Sequence, residues 1–447
     1  MTPTRGLYET RGLFAYGLIT FVMLVFANAL GLPGGASVGQ MMLLAGFLFW
    51  GQSCLARKET VFGRTVGEIA GFVLFSATFL ALLAFASMLY AADPFRVGRV
   101  VLSMLAGLAV FAFVRGTLDL NRSIQLVFVV VCTLALVSLI SVAALVVPPL
   151  EDFIFKGTDR AHGTFKNANQ FGIVLSTITP VTAALIAILD GKKRWTAGIC
   201  LGLMIIALLL SGSKTNLILT SAGLSAFAVL FVLATRDGAD KLLYLGLAQI
   251  SIVLLLVIGY LLLAQLNPRA ILLFETFLDP NQTVPSLNSR RFLWGESMAT
   301  FAANPWFGEG AGQRLVESPS GDTISHSHNL FIEYARTLGA PGLVAISIIV
   351  LASIALSLIS LVRGVFEQHS DITRRAMLIG LSLGCLAHLA ANMTSESFGP
   401  STTPFFWFTL SLLCLVNGPL WSLASVTGRN ATRTQFGLQS YGRTSLG

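Results

Sequence analysis

Between about Asn267 and Asn329 a polar segment separates two strongly apolar stretches. It carries Arg269, Arg290, Arg291, Arg314, His326 and His328, and closes in Ser325-His326-Ser327-His328-Asn329. Guanidinium groups grip phosphate oxygens through a planar fork. An imidazole exchanges a proton near neutral pH. Together they point to a phosphate-bearing substrate and a proton to be moved. His328 is the sharpest candidate. A helix begins just after it, with Asn329 or Ser327 as cap, and the positive helix end favours a neutral imidazole able to accept a proton. Glu333, five residues on, is near enough in helical phase to reach the same cavity. The plain alternative is a polar interface histidine at a capped helix. His326 reads as loop.

Two further stretches could meet an anion. Ser211-Gly212-Ser213-Lys214-Thr215 puts a lysine among small hydroxyl residues where a helix starts, and backbone N–H groups there favour negative charge. The bland reading is a snorkelling interfacial lysine. Arg160 and His162 lie in the polar stretch before another apolar run. Phe307-Gly308-Glu309-Gly310-Ala311-Gly312 follows no strand, so a nucleotide-binding reading has little support, and a flexible surface turn is the plain alternative.

The elements that must position these residues are membrane helices. The 447 residues are 55% hydrophobic and only 11% charged, with a mean hydropathy of +0.78, against about 25% charged for a soluble chain. The fold expected is an all-α polytopic membrane protein of about 12 transmembrane helices with one long outward-facing loop containing short helices. The spans fall near 12–31, 36–56, 67–90, 98–115, 124–147, 169–189, 195–211, 215–235, 241–266, 329–362, 374–393 and 404–426. The tenth is too long for one crossing, and Gly339, Pro341 and Gly342 are expected to break it into a surface helix and a span. This divides the chain into spans one to nine (1–266), the loop (267–328), a surface helix with spans ten to twelve (329–426) and a polar tail (427–447). Ala27-Asn28-Ala29 also resembles a signal-peptidase site, whose cleavage would remove the first span.

Most of the 29 Lys and Arg fall in the segments that are cytoplasmic if the N-terminus is inside, Lys192-Lys193-Arg194 most clearly. Both termini are then cytoplasmic and the long loop faces outward. The net charge of +8 is therefore no sign of nucleic-acid binding. Basic residues nevertheless persist outside, at Arg96, Arg99, Lys156, Arg160, Lys166, Lys214, Arg269, Arg290, Arg291 and Arg314. A diphosphate at the outer surface would account for them; loop solvation or anionic lipid head groups would be the ordinary reason. The five cysteines lie in apolar segments with no metal-ligand spacing and read as packing residues.

At these residues the chain resembles the O-antigen ligase and polymerase superfamily. The resemblance rests on Arg290 four residues before Trp294, then Pro305 and Gly308-Glu-Gly310-Ala-Gly312, then His328-Asn329 with Glu333, Gly339 and Gly342. It extends to Arg160-Ala-His-Gly163 through Asn167-Ala168-Asn169, where the family usually has proline in place of Ala168, and to Ser213-Lys214-Thr215, where lysine replaces the usual arginine. It implies an inverting, metal-independent glycosyl transfer on the periplasmic face of the bacterial inner membrane, with no cofactor. The donor would be a glycan on undecaprenyl diphosphate. The acceptor would be a sugar hydroxyl of lipid A-core for a ligase, or of a second lipid-linked glycan for a polymerase; ligase is the leading reading. His328 would deprotonate or orient the acceptor. Arg160, Lys214 and Arg290 would hold the diphosphate, with Arg291 in place of Arg290 if the motif slips by one. Asn169, Trp294, Gly310, Asn329 and Glu333 would support them. A transporter is the competing class. It would need ionisable groups at the midplane, and within the spans His388 is the clearest, a residue expected to pack against a polar neighbour.

Overall fold

The computed structural model describes residues 4–26, 38–56, 68–155, 160–235, parts of 243–265, 285–317, 323–324, 326–367, 371–395 and 401–418. The helices bounded among the described residues before the polar segment are α1 (Thr4–Phe26), α2 (Val38–Ala56), α3 (Glu68–Ala86), α4 (Pro94–Thr117), α5 (Leu120–Ala143), α6 (Pro148–Phe155), α7 (Ala168–Ile188), α8 (Gly191–Leu210) and α9 (Lys214–Thr235). Then come α10 (Pro285–Ala303), a two-residue antiparallel pair of β1 (Val316–Glu317) and β2 (Thr323–Ile324), α11 (Leu330–Phe366), α12 (Ile372–Asn392) and α13 (Thr403–Asn417).

Among the described residues eight helices are long and apolar enough to cross a membrane, and Phe14–Val25, Val38–Leu48 and Thr403–Asn417 are shorter apolar helices. The expected ninth span lies largely outside the described residues. So do the 27–29 site, Lys156, Arg269 and the 427–447 tail. The expected break in span ten is present: α11 is interrupted at Gly339, whose φ of 68° and ψ of −163° are not helical.

Helix ends follow local chemistry. Asp93 caps α4 by accepting from the Phe95 and Arg96 N–H groups, with Pro94 in the first turn where a missing N–H costs nothing. Asn167 caps α7 and Asn329 caps α11 in the same way. The α8–α9 connection is closed by Gly212 at φ 58°, a left-handed backbone that glycine adopts without penalty.

Helix α7 is buried along almost its whole length and packs against α8, α9 and α12. Small residues permit the closest of these approaches: a Cβ on Gly384 would come 2.4 Å from the Thr177 carbonyl oxygen, and one on Gly380 2.8 Å from that of Pro180. Such close backbone contact is how helices associate where lipid removes the hydrophobic gain. Pro180 has no N–H for the Ser176 carbonyl, and the Thr179 hydroxyl lies 3.4 Å from that oxygen.

These contacts also fix direction. Gly384 against Thr177 and Gly380 against Pro180 make α12 antiparallel to α7, so the end of α12 lies beside the start of α7. At the far end arginines stitch helix termini together. Arg374 donates to the Val416 and Asn417 carbonyls at 3.1 and 2.9 Å, Arg363 donates to Asn417 Oδ1 at 3.2 Å, and Arg375 donates to the Ala234 carbonyl. Cations at helix C-termini are electrostatically favoured.

Candidate functional site

The site lies at the opposite end, where α7, α9 and α11 begin and α12 finishes. Its first part forms around Asn169, in the first turn of α7. The Asn169 Oδ1 accepts from Arg160 Nη2 at 2.7 Å and from the Ser213 hydroxyl at 3.4 Å, and the Asn169 carbonyl accepts from Asn216 Nδ2 at 3.4 Å. Arg160 also donates through Nε to the Ser211 carbonyl at 2.8 Å. The guanidinium is thus oriented by the protein itself. Burial lowers its pKa, but an arginine stays charged at any working pH. Lys214 opens α9 within electrostatic reach of Arg160. Two cations and the positive starts of α7 and α9 therefore converge. Gly172 makes this approach possible, since a Cβ there would meet Asn216 Nδ2 and the Ser213 Cβ at 2.9 Å.

The second part is built on the start of α11. Asn329 Oδ1 accepts from the Phe331 and Ile332 N–H groups at 3.1 and 3.2 Å, while its Nδ2 donates to the Met393 carbonyl at 3.4 Å, tying the helix start to the end of α12. Loss of such a cap costs about 1 kcal/mol. Asn329→Ala is accordingly expected to lower the thermal midpoint of the purified chain, and Asn329→Asp to recover most of it; equal midpoints for wild type and alanine variant would contradict the capping role.

His328, just before the cap, has a φ of 54° and is the one non-glycine residue with positive φ among the described residues. Its ring meets that of His326 edge-on, with centroids 4.4 Å apart. Its pKa is lowered to about 3, first by burial and then by His326 and Arg290. The imidazole is neutral at pH 7, as the sequence leads one to expect, but desolvation comes first among the causes. Its Nδ1 is buried without a hydrogen-bond partner among the described residues. From sequence His326 reads as loop; folding sets it against His328.

Arg290 and Arg291 separate clearly. Arg290 is half-buried and lies within electrostatic reach of His328, whereas Arg291 is exposed. Trp294, one helical turn beyond Arg290, has a buried indole N–H with no partner among the described residues. Glu333 is engaged by the protein: one oxygen accepts from Arg336 Nη2 at 2.8 Å and the other from the Ser327 N–H at 2.9 Å.

The glycine-rich stretch is a packed turn. Gly308, Gly310 and Gly312 all have positive φ. A Cβ on them would strike, respectively, the Thr337 backbone at 2.4 Å, Ala91 at 2.6 Å and Val100 at 2.9 Å. The turn is sewn to both sides. Ala311 N–H donates to the Ser87 hydroxyl at 3.1 Å, Gln313 Nε2 to the Asp93 carbonyl at 3.1 Å, and the Glu309 and Gly310 N–H groups to the Arg336 and Thr337 carbonyls at 3.1 and 2.9 Å. Gly310 is therefore a structural residue of this turn.

Arg336 was missed as a site residue. The sequence places it on a surface helix, yet its side chain is 0% exposed and ion-paired with both Glu309 and Glu333. The i, i+3 spacing of Glu333 and Arg336 was the one available signal. His388 packs as expected, with Nδ1 3.0 Å from the Thr177 hydroxyl. Among the described residues no group of three or more His, Cys, Asp or Glu is arranged to hold a metal ion.

Fold and site together define a polytopic helical membrane protein with a neutral histidine and several cations gathered at one end of its bundle. Residues 199–347 match the family model described as O-antigen ligase, and that match supports the O-antigen ligase superfamily. The match spans Lys214, Arg290 and His328 and stops short of Arg160 and Asn169. No curated protein matches the chain. The family indicates a glycosyltransferase-like ligase in a bacterial membrane.

Proposed function

We propose that this protein transfers a glycan from undecaprenyl diphosphate to a sugar hydroxyl of lipid A-core, at the periplasmic face of the inner membrane. The observation that carries this reading is the presence at one end of the bundle of His328, neutral and with Nδ1 unpartnered among the described residues, together with the oriented Arg160 and the cations Lys214 and Arg290.

The acceptor hydroxyl gives its proton to His328 as its oxygen attacks the anomeric carbon. The bond from that carbon to the diphosphate oxygen breaks on the opposite face, so configuration inverts. Diphosphate departs carrying the electron pair, and Arg160, Lys214 and Arg290 offset its charge, the work fixed cations do for any departing phosphate. These cations suffice without a metal. A histidine with a pKa near 3 is a weak base on its own. An anionic diphosphate beside it opposes Arg290 and raises that value, so the base gains strength once the donor is in place.

The basic residues at the far end, including Arg363, Arg374 and Arg375, support a cytoplasmic assignment for that face, with both termini on it. Lys214→Ala removes one charged contact of roughly 1.5–3 kcal/mol. It is expected to raise the KM for the lipid-linked donor roughly tenfold or more, and Lys214→Arg to restore it; an unchanged KM in the alanine variant would remove Lys214 from the donor site.

The overall reading is tested by deleting the gene and resolving lipopolysaccharide on a gel, with and without the wild-type copy. Loss of every O-chain from mature core supports the ligase. Survival of single-repeat chains indicates that the same site polymerises instead. Unaltered surface glycan in the deletion strain would overturn the transferase, and donor trapped in the cytoplasmic leaflet would favour transport.

A further inference from the structure

His328 holds a backbone conformation that side chains other than Gly, Asn and Asp seldom adopt, and such conformations persist only where the surroundings over-determine them. The immediate restraints are two. Asn329 is fixed by its cap and by Met393 on the C-terminal side. On the N-terminal side the Ser327 N–H donates to Glu333 Oε2, and the Ser327 hydroxyl donates to the Asn329 carbonyl at 3.1 Å. Glu333 is therefore the hook that shapes the turn, and its other oxygen is taken by Arg336.

Arg336 is wholly buried and reaches three places. It pairs with Glu333, with Glu309 of the glycine-rich turn, and through Nη2 with the Gln313 carbonyl at 3.3 Å. Replacing a buried ion pair with apolar groups is often neutral or stabilising, so its presence asks for a reason besides stability. Here the pair links the glycine-rich turn to the start of α11, where Glu333 also holds the Ser327 N–H next to His328.

We propose that Arg336 is a positioning residue for His328: the Glu309–Arg336–Glu333 bridge locks the glycine-rich turn to the Ser327–Asn329 segment and so fixes the imidazole before substrate arrives. The functional meaning of that position rests on the transferase reading above, whereas the mechanical claim stands apart from it. The charged and titratable groups around the imidazole are His326 and Arg290, with Glu333 one hydrogen bond away through Ser327.

The test reads His328 directly. The purified full-length protein is treated with diethyl pyrocarbonate between pH 5 and 8, and carbethoxylation at His328 is followed by peptide mass spectrometry. In the wild type the rate is expected to be low and nearly independent of pH, because the imidazole is buried and stays neutral. In Arg336→Gln the rate is expected to rise severalfold at pH 8 and to fall below about pH 6.5, as a released histidine titrates in its ordinary range. Arg336→Lys, which keeps the charge and loses the fork, is expected to lie between. A purely structural arginine would lower the thermal midpoint and leave the His328 profile of the folded fraction unchanged, and that result overturns the proposal. If Arg336→Gln does not accumulate, Glu309→Gln decides in its place, since it removes one leg of the bridge and leaves the Arg336–Glu333 pair. A faster His328 reaction supports the bridge, and an unchanged one refutes it. If His328→Asn still supports glycan transfer while Arg336→Gln frees the imidazole, the positioning stands and the proposed base does not.

Discussion

Replacing His328 by asparagine is expected to lower glycan transfer by about 10²- to 10⁴-fold, the usual contribution of a positioned proton acceptor, while the protein accumulates normally. Asparagine suits the test because it tolerates the left-handed backbone observed at this position, with φ of 54°, yet has no basic nitrogen. Alanine also removes the base, but adds strain from that backbone. The acceptor atom in question is Nδ1, buried and without a partner among the described residues, on a ring flanked by His326 and within reach of Arg290. A gel of surface glycan from cells making equal amounts of each variant gives the result; full transfer by His328→Asn would remove His328 as the base.

The lowered pKa has two consequences of definite sign. With a value of about 3, His328 stays neutral from pH 8 down to pH 5. A fall in kcat/KM over that interval would therefore report another group. Stability behaves differently. The unfolded chain binds a proton at this residue below about 6.5, and the folded chain does so only near 3. Between those values the unfolded state holds the extra proton. Stability contributed by the buried neutral ring is thus complete above about pH 6.5 and is lost progressively as pH falls toward 3.

Gly339→Ala is expected to have the second large effect, on folding and on the site together. With φ of 68° and ψ of −163°, Gly339 lies in a region that essentially only glycine occupies, which alone costs another residue about 1–3 kcal/mol. An added Cβ would also sit 2.5 Å from the Trp306 carbonyl carbon and oxygen, backbone atoms that cannot swing aside. To relieve the overlap, α11 must part from the 304–310 turn. That strains the hydrogen bonds from Ala340 N–H to the Pro305 carbonyl at 2.7 Å and from the Glu309 and Gly310 N–H groups to α11. Those bonds brace the same turn that carries Glu309. Gly339→Ala should therefore reduce the amount of folded protein in the membrane and abolish transfer by what remains. Pro341→Ala is the control. Pro341 falls within the first turn after the break, where proline follows the kink without setting it, and its replacement is expected to be mild. Equal behaviour of the two variants would show that the geometry at Gly339 is not what matters.

Much of the fold was legible because lipid imposes a length and a polarity on any crossing helix. Residues such as Leu120–Ala143 or Ala168–Ile188 declare themselves by that rule alone. The break at Gly339 was readable from the local run of glycine and proline, and the cap at Asn329 from a side chain that bonds its own nearby backbone. The sequence left a flexible surface turn open for the glycine-rich stretch, for a definite reason. Glycines in a loop read the same whether the chain is free or pressed against another backbone, and only the approach of Thr337, Ala91 and Val100 distinguishes the two.

By itself the sequence determined that this chain is a helical membrane protein, and it singled out His328, Arg290, Lys214 and Arg160 as candidates. Those residues stand out because charge is scarce in an apolar chain. Tertiary structure alone decided which cations have other work. It buried Arg336 between two carboxylates, turned Arg291 to the exterior, held Arg160 against Asn169 and Ser211, and set His326 beside His328. The partners of a cation come from segments far apart along the chain. Spacing in sequence carries no record of which of them folding brings within hydrogen-bond reach, or of the desolvation that follows.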